Sequence, residues 1–125
     1  MKNVIQTDKA PQAIGTYSQA VRIDKAIYLS GQIPLDPASM TLISDDFTEQ
    51  TKQVIRNLQA VCEEAGGGLD NIVKLSVYLT DLKNFPIVNE VMSQFFRAPY
   101  PARTTIQVSA LPKAAQIEMD AVMCL

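Results

Sequence analysis

Two strand-like patterns near the carboxyl end of the chain, over residues 101–108 and 117–121, constrain the fold most. In both, apolar or small side chains alternate with polar ones, which places them on opposite faces of a β-sheet. A proline-containing segment joins the two, so we predict a hairpin. In that hairpin Arg103 and Glu118 would lie at about the same level of the sheet. Such a pair is either a site that binds a carboxylate and activates a water, or a plain cross-strand ion pair.

The rest of the chain predicts two helices and further strands. Apolar residues recur at helical spacing over 47–65 and 85–97, and Asp46 with Glu49 forms a capping-box pattern before the first helix. Shorter strands are predicted at 4–6, 19–23, 26–30 and 73–79. Together these elements predict one α+β domain over residues 1–125, in which two helices cover one face of a mixed sheet.

A single layer of helices would leave the opposite face of the sheet uncovered. We expect that face to pack against other copies of the chain. The polar side chains expected there are Arg103, Thr105, Gln107, Glu118 and Asp120.

The amino-acid composition excludes several kinds of catalytic and binding site. The chain has no histidine, which excludes a Ser-His-Asp triad and the usual zinc sites, and its net charge of −2 gives no basic field for nucleic acid. No apolar run approaches the roughly 20 residues that cross a bilayer, and the first residues lack the core of a signal peptide. Cys62 and Cys124 have no metal-binding spacing, so we expect reduced thiols and a cytoplasmic protein, with Cys62 packed in the core.

Several segments occur in the order seen in one known family. Pro101-Ala102-Arg103 is followed by Val108 and Leu111-Pro112. Residues 10–20 read Ala-Pro-Gln-Ala-Ile-Gly-Thr-Tyr-Ser-Gln-Ala, and residues 30–34 read Ser-Gly-Gln-Ile-Pro. These motifs resemble those of the Rid proteins (reactive-intermediate deaminases, also called YjgF-like), and the resemblance covers essentially the whole chain.

The resemblance implies the fold shared with the Bacillus-type chorismate mutases. It also implies a homotrimer with three clefts between subunits. The activity implied is hydrolytic deamination of enamines and imines, such as 2-aminoacrylate or 2-aminocrotonate released by pyridoxal-phosphate dehydratases, to 2-keto acids and ammonia. No metal or cofactor is implied, and the partners are a small imine, enamine or keto-acid ligand and other copies of the chain.

The resemblance also assigns roles to residues. Arg103 matches the arginine that binds the substrate carboxylate, and Glu118 matches the glutamate associated with the attacking water. Tyr17 is expected to act with them, and some residues of the cleft are expected to come from the neighbouring subunit. The residues expected to line the cleft beside them are Ser30, Gly31, Asn89 and Thr105.

Three departures from the family pattern affect substrate preference more than fold. Thr16 replaces a proline before Tyr17, Thr104 replaces a small residue after the arginine, and Thr105 replaces a cysteine common in the cleft. A thiol at that position therefore has no part in the mechanism, although a hydroxyl still forms hydrogen bonds.

Two other functions compete with the deaminase. A non-catalytic regulatory trimer would bind keto acids or other small carboxylates in the same cleft, and it too would need Arg103. A ribonuclease or translation inhibitor, a label given to parts of this family, is disfavoured by the acidic charge balance and the absence of histidine.

Overall fold

One mixed sheet and two helices make up the computed structural model, which describes residues 1–125. The elements are β1 (Asn3–Ile5), β2 (Ala20–Ile23), β3 (Ala26–Gln32), α1 (Phe47–Glu64), β4 (Ile72–Leu79), α2 (Phe85–Phe95), β5 (Ala102–Gln107) and β6 (Ile117–Cys124). The spatial order of the strands is β1-β2-β3-β6-β4-β5, and only β4 and β5 pair in parallel. The predicted α+β class and both predicted helices are confirmed. Neither helix has the length and apolar character to cross a membrane.

Local sequence explains where α1 begins and ends. The Asp46 carboxylate accepts a hydrogen bond from the backbone N–H of Glu49 at 3.0 Å, which satisfies one of the free donors at the first turn. Val54 and Leu58 are completely buried on the side of the helix that faces the sheet. After the helix, Gly66 has a φ of +96°, a left-handed conformation that glycine adopts without steric cost.

The sheet face that the helices cover forms the core. Leu75, Val77 and Leu79 alternate along β4 and are completely buried, and so are Ile117 and Met119, which lie beside them on β6. Burial of aliphatic side chains is the main stabilising contribution, at about 25 cal/mol per Å² of apolar surface removed from water.

Cys62 lies in this core, as its place in the apolar pattern of α1 predicted. Burial raises the pKa of its thiol to about 12, and the charge of Glu63 acts in the same direction. Such a thiol stays protonated at neutral pH and is no nucleophile. Cys124 is exposed, and both thiols are free.

The predicted hairpin of the last two strands is wrong. β6 lies between β3 and β4 and is antiparallel to both, whereas β5 forms the sheet edge beside β4. Burial explains the placement, because alternate residues of β6 are fully buried while nearly all of β5 is exposed. A strand with one wholly apolar face belongs at the centre of a sheet, and a polar strand belongs at its edge.

The face predicted for the polar residues of β5 is also wrong. Arg103 lies level with Leu75 of β4, and Thr105 lies level with Val77. Leu75 and Val77 point into the core, so Arg103, Thr105 and Gln107 project from the helix-covered face at the sheet edge.

Glu118 and Asp120 do lie on the uncovered face. Glu118 is level with Tyr78, and Asp120 is level with Ser76. Apolar side chains are exposed on the same face, among them Val4 at 63%, Tyr28 at 52% and Ile106 at 45%. Packing of this face against other copies of the chain stays a prediction.

Candidate active site

Arg103 is held against α2 by three contacts. Its Nη1 donates to the Asn89 side-chain oxygen at 2.7 Å and to Met92 Sδ at 3.4 Å, and its Cζ lies 5.0 Å from the centre of the Phe85 ring. The only ion pairs in the chain are Lys52–Glu49 and Arg97–Asp70, so no carboxylate neutralises this guanidinium. Its remaining N–H donors are available to a planar anion, for which a guanidinium offers two parallel hydrogen bonds.

The predicted pairing of Arg103 with Glu118 does not occur, either as one site within the chain or as a cross-strand ion pair. β4 separates their two strands, and the two side chains project from opposite faces of the sheet. Asn89 and Thr105 do lie on the Arg103 side, as the resemblance implied. The buried hydroxyl oxygen of Thr105 has no hydrogen-bond partner. We call Arg103, Asn89 and Thr105 the arginine half-site.

Glu118 lies against the backbone of β3 on the other face of the sheet. A Cβ atom at Gly31 would overlap the Glu118 carboxylate, so the absence of a side chain at Gly31 allows this close approach. Burial raises the pKa of Glu118, and the charge of Asp120 raises it further. Asp120 in turn accepts a hydrogen bond from the Tyr78 hydroxyl at 2.8 Å.

Tyr17 lines the same cleft as Glu118 and Gly31. The cleft has a volume of about 460 Å³, and Pro112 and Lys113 form part of its wall. The Tyr17 hydroxyl accepts a hydrogen bond from the backbone N–H of Ile14 at 3.3 Å, and the ring is about half exposed. We call Tyr17, Gly31 and Glu118 the glutamate half-site.

Ser30 bonds to the segment that carries Tyr17, and its predicted place in a cleft between subunits stays a prediction. Its hydroxyl donates to the carbonyl of Ser18, and its backbone N–H donates to the carbonyl of Gln19 at 2.9 Å. These bonds attach the segment that carries Tyr17 to β3. Ser30 does not line the Glu118 cleft, so within the chain it positions Tyr17's segment.

Gln19 was missed as a contributor to the site. Its buried side chain accepts from the Thr7 N–H at 2.7 Å and donates to the carbonyls of Thr7 at 3.0 Å and Pro11 at 2.8 Å. The N-terminal segment is thereby fixed next to Tyr17, without the proline that Thr16 replaces. The available signal was a polar residue directly before the apolar residues Ala20 and Val21 at the start of a predicted strand.

The chemistry of the two half-sites is complementary. One offers an unpaired cation with a nearby hydroxyl, and the other offers a partly buried carboxylate with a raised pKa next to a phenol. A cation binds an anionic substrate group, and a carboxylate of raised pKa accepts a proton more readily than an ordinary glutamate does. No group of three His, Cys, Asp or Glu side chains is arranged to hold a metal ion.

Comparison with known proteins agrees with the motifs. A family model described as Endoribonuclease L-PSP matches residues 7–124. The chain is 49% identical over 121 residues to a RutC family protein of Pyrococcus abyssi, covering 97% of this chain and 95% of the relative. It is 47% identical over 122 residues to human 2-iminobutanoate/2-iminopropanoate deaminase, covering 98% of this chain and 89% of the human protein.

Solved structures extend the likeness to the whole fold. RidA from an Antarctic Psychrobacter species matches with a TM-score of 0.95 at 47% sequence identity, covering 98% of this chain and 99% of that one. The order of the motifs, the six-stranded sheet and these relatives agree: the chain belongs to the Rid (YjgF-like) family.

Proposed function

We propose that this protein hydrolyses reactive enamines and imines of 2-amino acids to 2-keto acids and ammonia. The observation that carries the proposal is Arg103, an unpaired guanidinium beside the unpartnered hydroxyl of Thr105. The name of the human relative gives the same reaction class for a protein 47% identical to this chain. Candidate substrates are 2-aminoacrylate and 2-aminocrotonate.

In the proposed mechanism Arg103 binds the substrate carboxylate with two N–H donors. Hydrogen bonds to charged groups are each worth about 1.5–3 kcal/mol, and geometry that holds the imine carbon in place removes much of the entropy cost of the reaction. Imines hydrolyse readily in water, so positioning supplies most of what the enzyme must add. Enamines first gain a proton from solvent at the carbon next to the amine-bearing carbon and become protonated imines.

Glu118 acts as the general acid–base group of the proposed mechanism. Its carboxylate accepts a proton from water as the oxygen attacks the carbon of the protonated imine, which gives a neutral carbinolamine. The same proton then passes to the amine nitrogen. The C–N bond breaks and ammonia leaves, while the carbinolamine hydroxyl gives its proton to the Glu118 carboxylate and becomes the keto oxygen; Glu118 returns that proton to solvent. A raised pKa suits this exchange, because a general acid–base group works best when its pKa is near the operating pH. Tyr17 lines the same cleft, and we assign it the orientation of the water.

This mechanism needs more than one copy of the chain, because the two half-sites lie on opposite faces of one sheet. We therefore include a homotrimer in the proposal, with the arginine half-site of one subunit facing the glutamate half-site of the next. Head-to-tail contacts form a closed ring when the rotation between subunits closes, as a threefold rotation does. The exposed apolar residues of the uncovered face, Val4, Tyr28 and Ile106, favour such packing. A cytoplasmic location, where the two free thiols stay reduced, is part of the same proposal.

The test is a deaminase assay on freshly generated 2-aminoacrylate, with wild type beside Arg103→Ala. We expect the wild type to accelerate ammonia release and Arg103→Ala to lose nearly all of that acceleration while the assembly persists. A wild type without acceleration that still binds keto acids through Arg103 would favour the regulatory trimer. A monomer at micromolar concentration by light scattering would contradict the shared site.

A further inference from the structure

Glu118 and Asp120 are two carboxylates on the same face of β6, and neither takes part in an ion pair. Alternate residues of a strand point to the same side, about 7 Å apart, so the two side chains are neighbours on the uncovered face. Their negative charges repel each other, because this separation is shorter than the Debye length of about 8 Å at physiological ionic strength. Glu118 is half-buried beside Gly31, which strengthens the repulsion by keeping water away.

Tyr78 fixes the position of one of the two charges. It lies level with Glu118 on the neighbouring strand β4, but its hydroxyl donates diagonally to the Asp120 carboxylate at 2.8 Å. This bond raises the pKa of Tyr78, so the phenol stays protonated and remains the donor. A donated hydrogen bond favours the ionised form of a carboxylate, and Asp120 receives one that Glu118 lacks. The two neighbouring carboxylates therefore differ in how well each is stabilised as an anion.

Asp120 is the one charged group packed beside Glu118. The other titratable side chains that line the Glu118 cleft or share its face on β3 and β4 are three phenols and two ammonium groups, those of Tyr17, Tyr28, Tyr78, Lys74 and Lys113. Lys113 is exposed in the loop before β6, so water screens its charge. Lys74 donates to a threonine hydroxyl on β5 at 2.9 Å, on the side of β4 away from β6. Burial raises the pKa of Glu118, and the charge of Asp120 raises it further.

We propose that Asp120 is a positioning residue of the deaminase: Tyr78 holds its charge beside Glu118, and that charge makes Glu118 the stronger base of the two carboxylates. The inference rests on the proposed function and deepens it. Two neighbouring carboxylates titrate as a pair, and the one whose charged form is less stabilised keeps its proton to higher pH. The bond from Tyr78 to Asp120 thereby assigns the transferred proton to Glu118, while Asp120 stays ionised and touches no substrate.

The effect of removing the Asp120 charge depends on pH. Asp120→Asn keeps an acceptor for Tyr78 but makes Glu118 a weaker base, so kcat/KM at neutral pH should fall roughly threefold. Glu118 then stays ionised to lower pH, so the decline of kcat/KM on the acid side of the profile, the acid limb, should move to lower pH. A purely structural role for Asp120 would lower kcat/KM by the same factor at every pH and leave the acid limb in place.

The experiment records kcat/KM for 2-aminoacrylate against pH in wild type and four variants. Tyr78→Phe should move the acid limb in the same direction as Asp120→Asn but less far, and Asp120→Glu, which restores the charge, should return it towards the wild-type position. Glu64→Gln is the matched control, because it removes one negative charge at the exposed end of α1 and should leave the profile unchanged. An acid limb that stays in place in Asp120→Asn, or in Tyr78→Phe where Asp120→Asn does not fold, would overturn the proposal.

Carbon-13 NMR of the glutamate carboxyl groups separates this inference from the proposed function, because it needs no catalysis. The Glu118 signal is the one that disappears in Glu118→Gln. Its titration midpoint should move to lower pH in Asp120→Asn and stay in place in Glu64→Gln. A midpoint that moves in a protein without turnover would support the role of Asp120 while the deaminase proposal fails. A midpoint that stays in place in Asp120→Asn would overturn that role, and turnover in the same protein would leave the deaminase proposal standing.

Discussion

Arg103 and Glu118 occupy contrasting surroundings although both lie on strands next to β4. Arg103 is on the exposed edge strand β5, and α2 fixes it through Asn89, Met92 and Phe85. Glu118 is half-buried on the central strand β6, where it lies against Gly31. At the sheet edge the Arg103 guanidinium keeps N–H donors available to a ligand. At the sheet centre burial raises the pKa of the Glu118 carboxyl.

The difference shows how a chain without histidine obtains an anion-binding group from an arginine and a proton-transfer group from a glutamate. A guanidinium remains charged in any of these environments, so the edge needs only to leave its donors unpaired. A carboxylate becomes a stronger base when its charged form is destabilised, and at the centre of the sheet burial and the charge of Asp120 have this effect on Glu118. If the two regions divide the work in this way, substitutions at Arg103 and Glu118 should have different effects on binding and turnover.

The largest expected effect is that of Glu118→Gln on turnover. The amide keeps the size of the side chain but removes its basicity, so turnover should fall by roughly 10²–10⁴, the usual contribution of general acid–base catalysis. Calorimetric binding of 2-ketobutyrate should stay nearly unchanged, because Arg103 binds the carboxylate. Unchanged turnover would remove Glu118 from the mechanism, and loss of binding would make it a ligand-positioning group instead.

Arg103→Lys should lower kcat/KM by about tenfold to a hundredfold. Lysine keeps the positive charge but cannot form two parallel hydrogen bonds to a carboxylate, and it loses the stacking on Phe85. The measurement is the steady-state rate with 2-aminoacrylate, with light scattering to establish that the assembly is intact. Full activity in this variant would contradict two-pronged binding.

Mixing two inactive variants tests whether the half-sites come from different subunits. Arg103→Ala and Glu118→Gln subunits, unfolded together and refolded, should recover about a quarter of wild-type activity, because random assembly of head-to-tail trimers makes that share of clefts intact. The control is the double variant Arg103→Ala/Glu118→Gln refolded with either single variant, which has no route to an intact cleft. Recovery no greater than that of the control would place both half-sites outside a shared cleft.

The sequence predicted what depends on local patterns. Periodicity located α1 and α2, because a buried helical stripe is visible within one segment, and Asp46 showed where α1 begins. Alternation also grouped Arg103 correctly with Thr105 and Gln107. It did not show which face of the sheet that group would use, because both faces of an edge strand are exposed.

The sequence patterns did not predict which strands pair when they lie far apart along the chain. Sequence neighbours often pair, so a hairpin of the last two strands was the simplest expectation. The fully buried face of β6 instead needs flanking strands on both sides. The resemblance to the Rid family named the residues of both half-sites, and the structure added Gln19 and Tyr78, whose roles depend on contacts far along the chain.

The raised pKa of Glu118 predicts an effect of pH on stability. A folded pKa above the unfolded value means that the ionised form destabilises the fold, so stability falls as the pH rises from the ordinary glutamate pKa through the raised one. Glu118→Gln should therefore be more stable than wild type at pH 8, by less than ~1 kcal/mol because the group is partly exposed. The gain should disappear below the ordinary glutamate pKa. Denaturant unfolding at several pH values measures it, and a gain independent of pH would contradict this cause.

A stability effect of similar size concerns the backbone beside the glutamate half-site. Lys113 and Ala114, next to the cleft that contains Glu118, have φ values of +56° and +58°. The strand that carries Arg103, β5, has no residue with a positive φ. A left-handed conformation costs a residue with a Cβ roughly 1–2 kcal/mol, so Ala114→Gly should raise the free energy of unfolding by about 1 kcal/mol. Ala115→Gly is the matched control, because Ala115 has a φ of −64° and is buried, and the added flexibility and lost methyl group should destabilise it. Thermal unfolding of both variants is the measurement, and destabilisation by Ala114→Gly would show that the left-handed turn carries no strain.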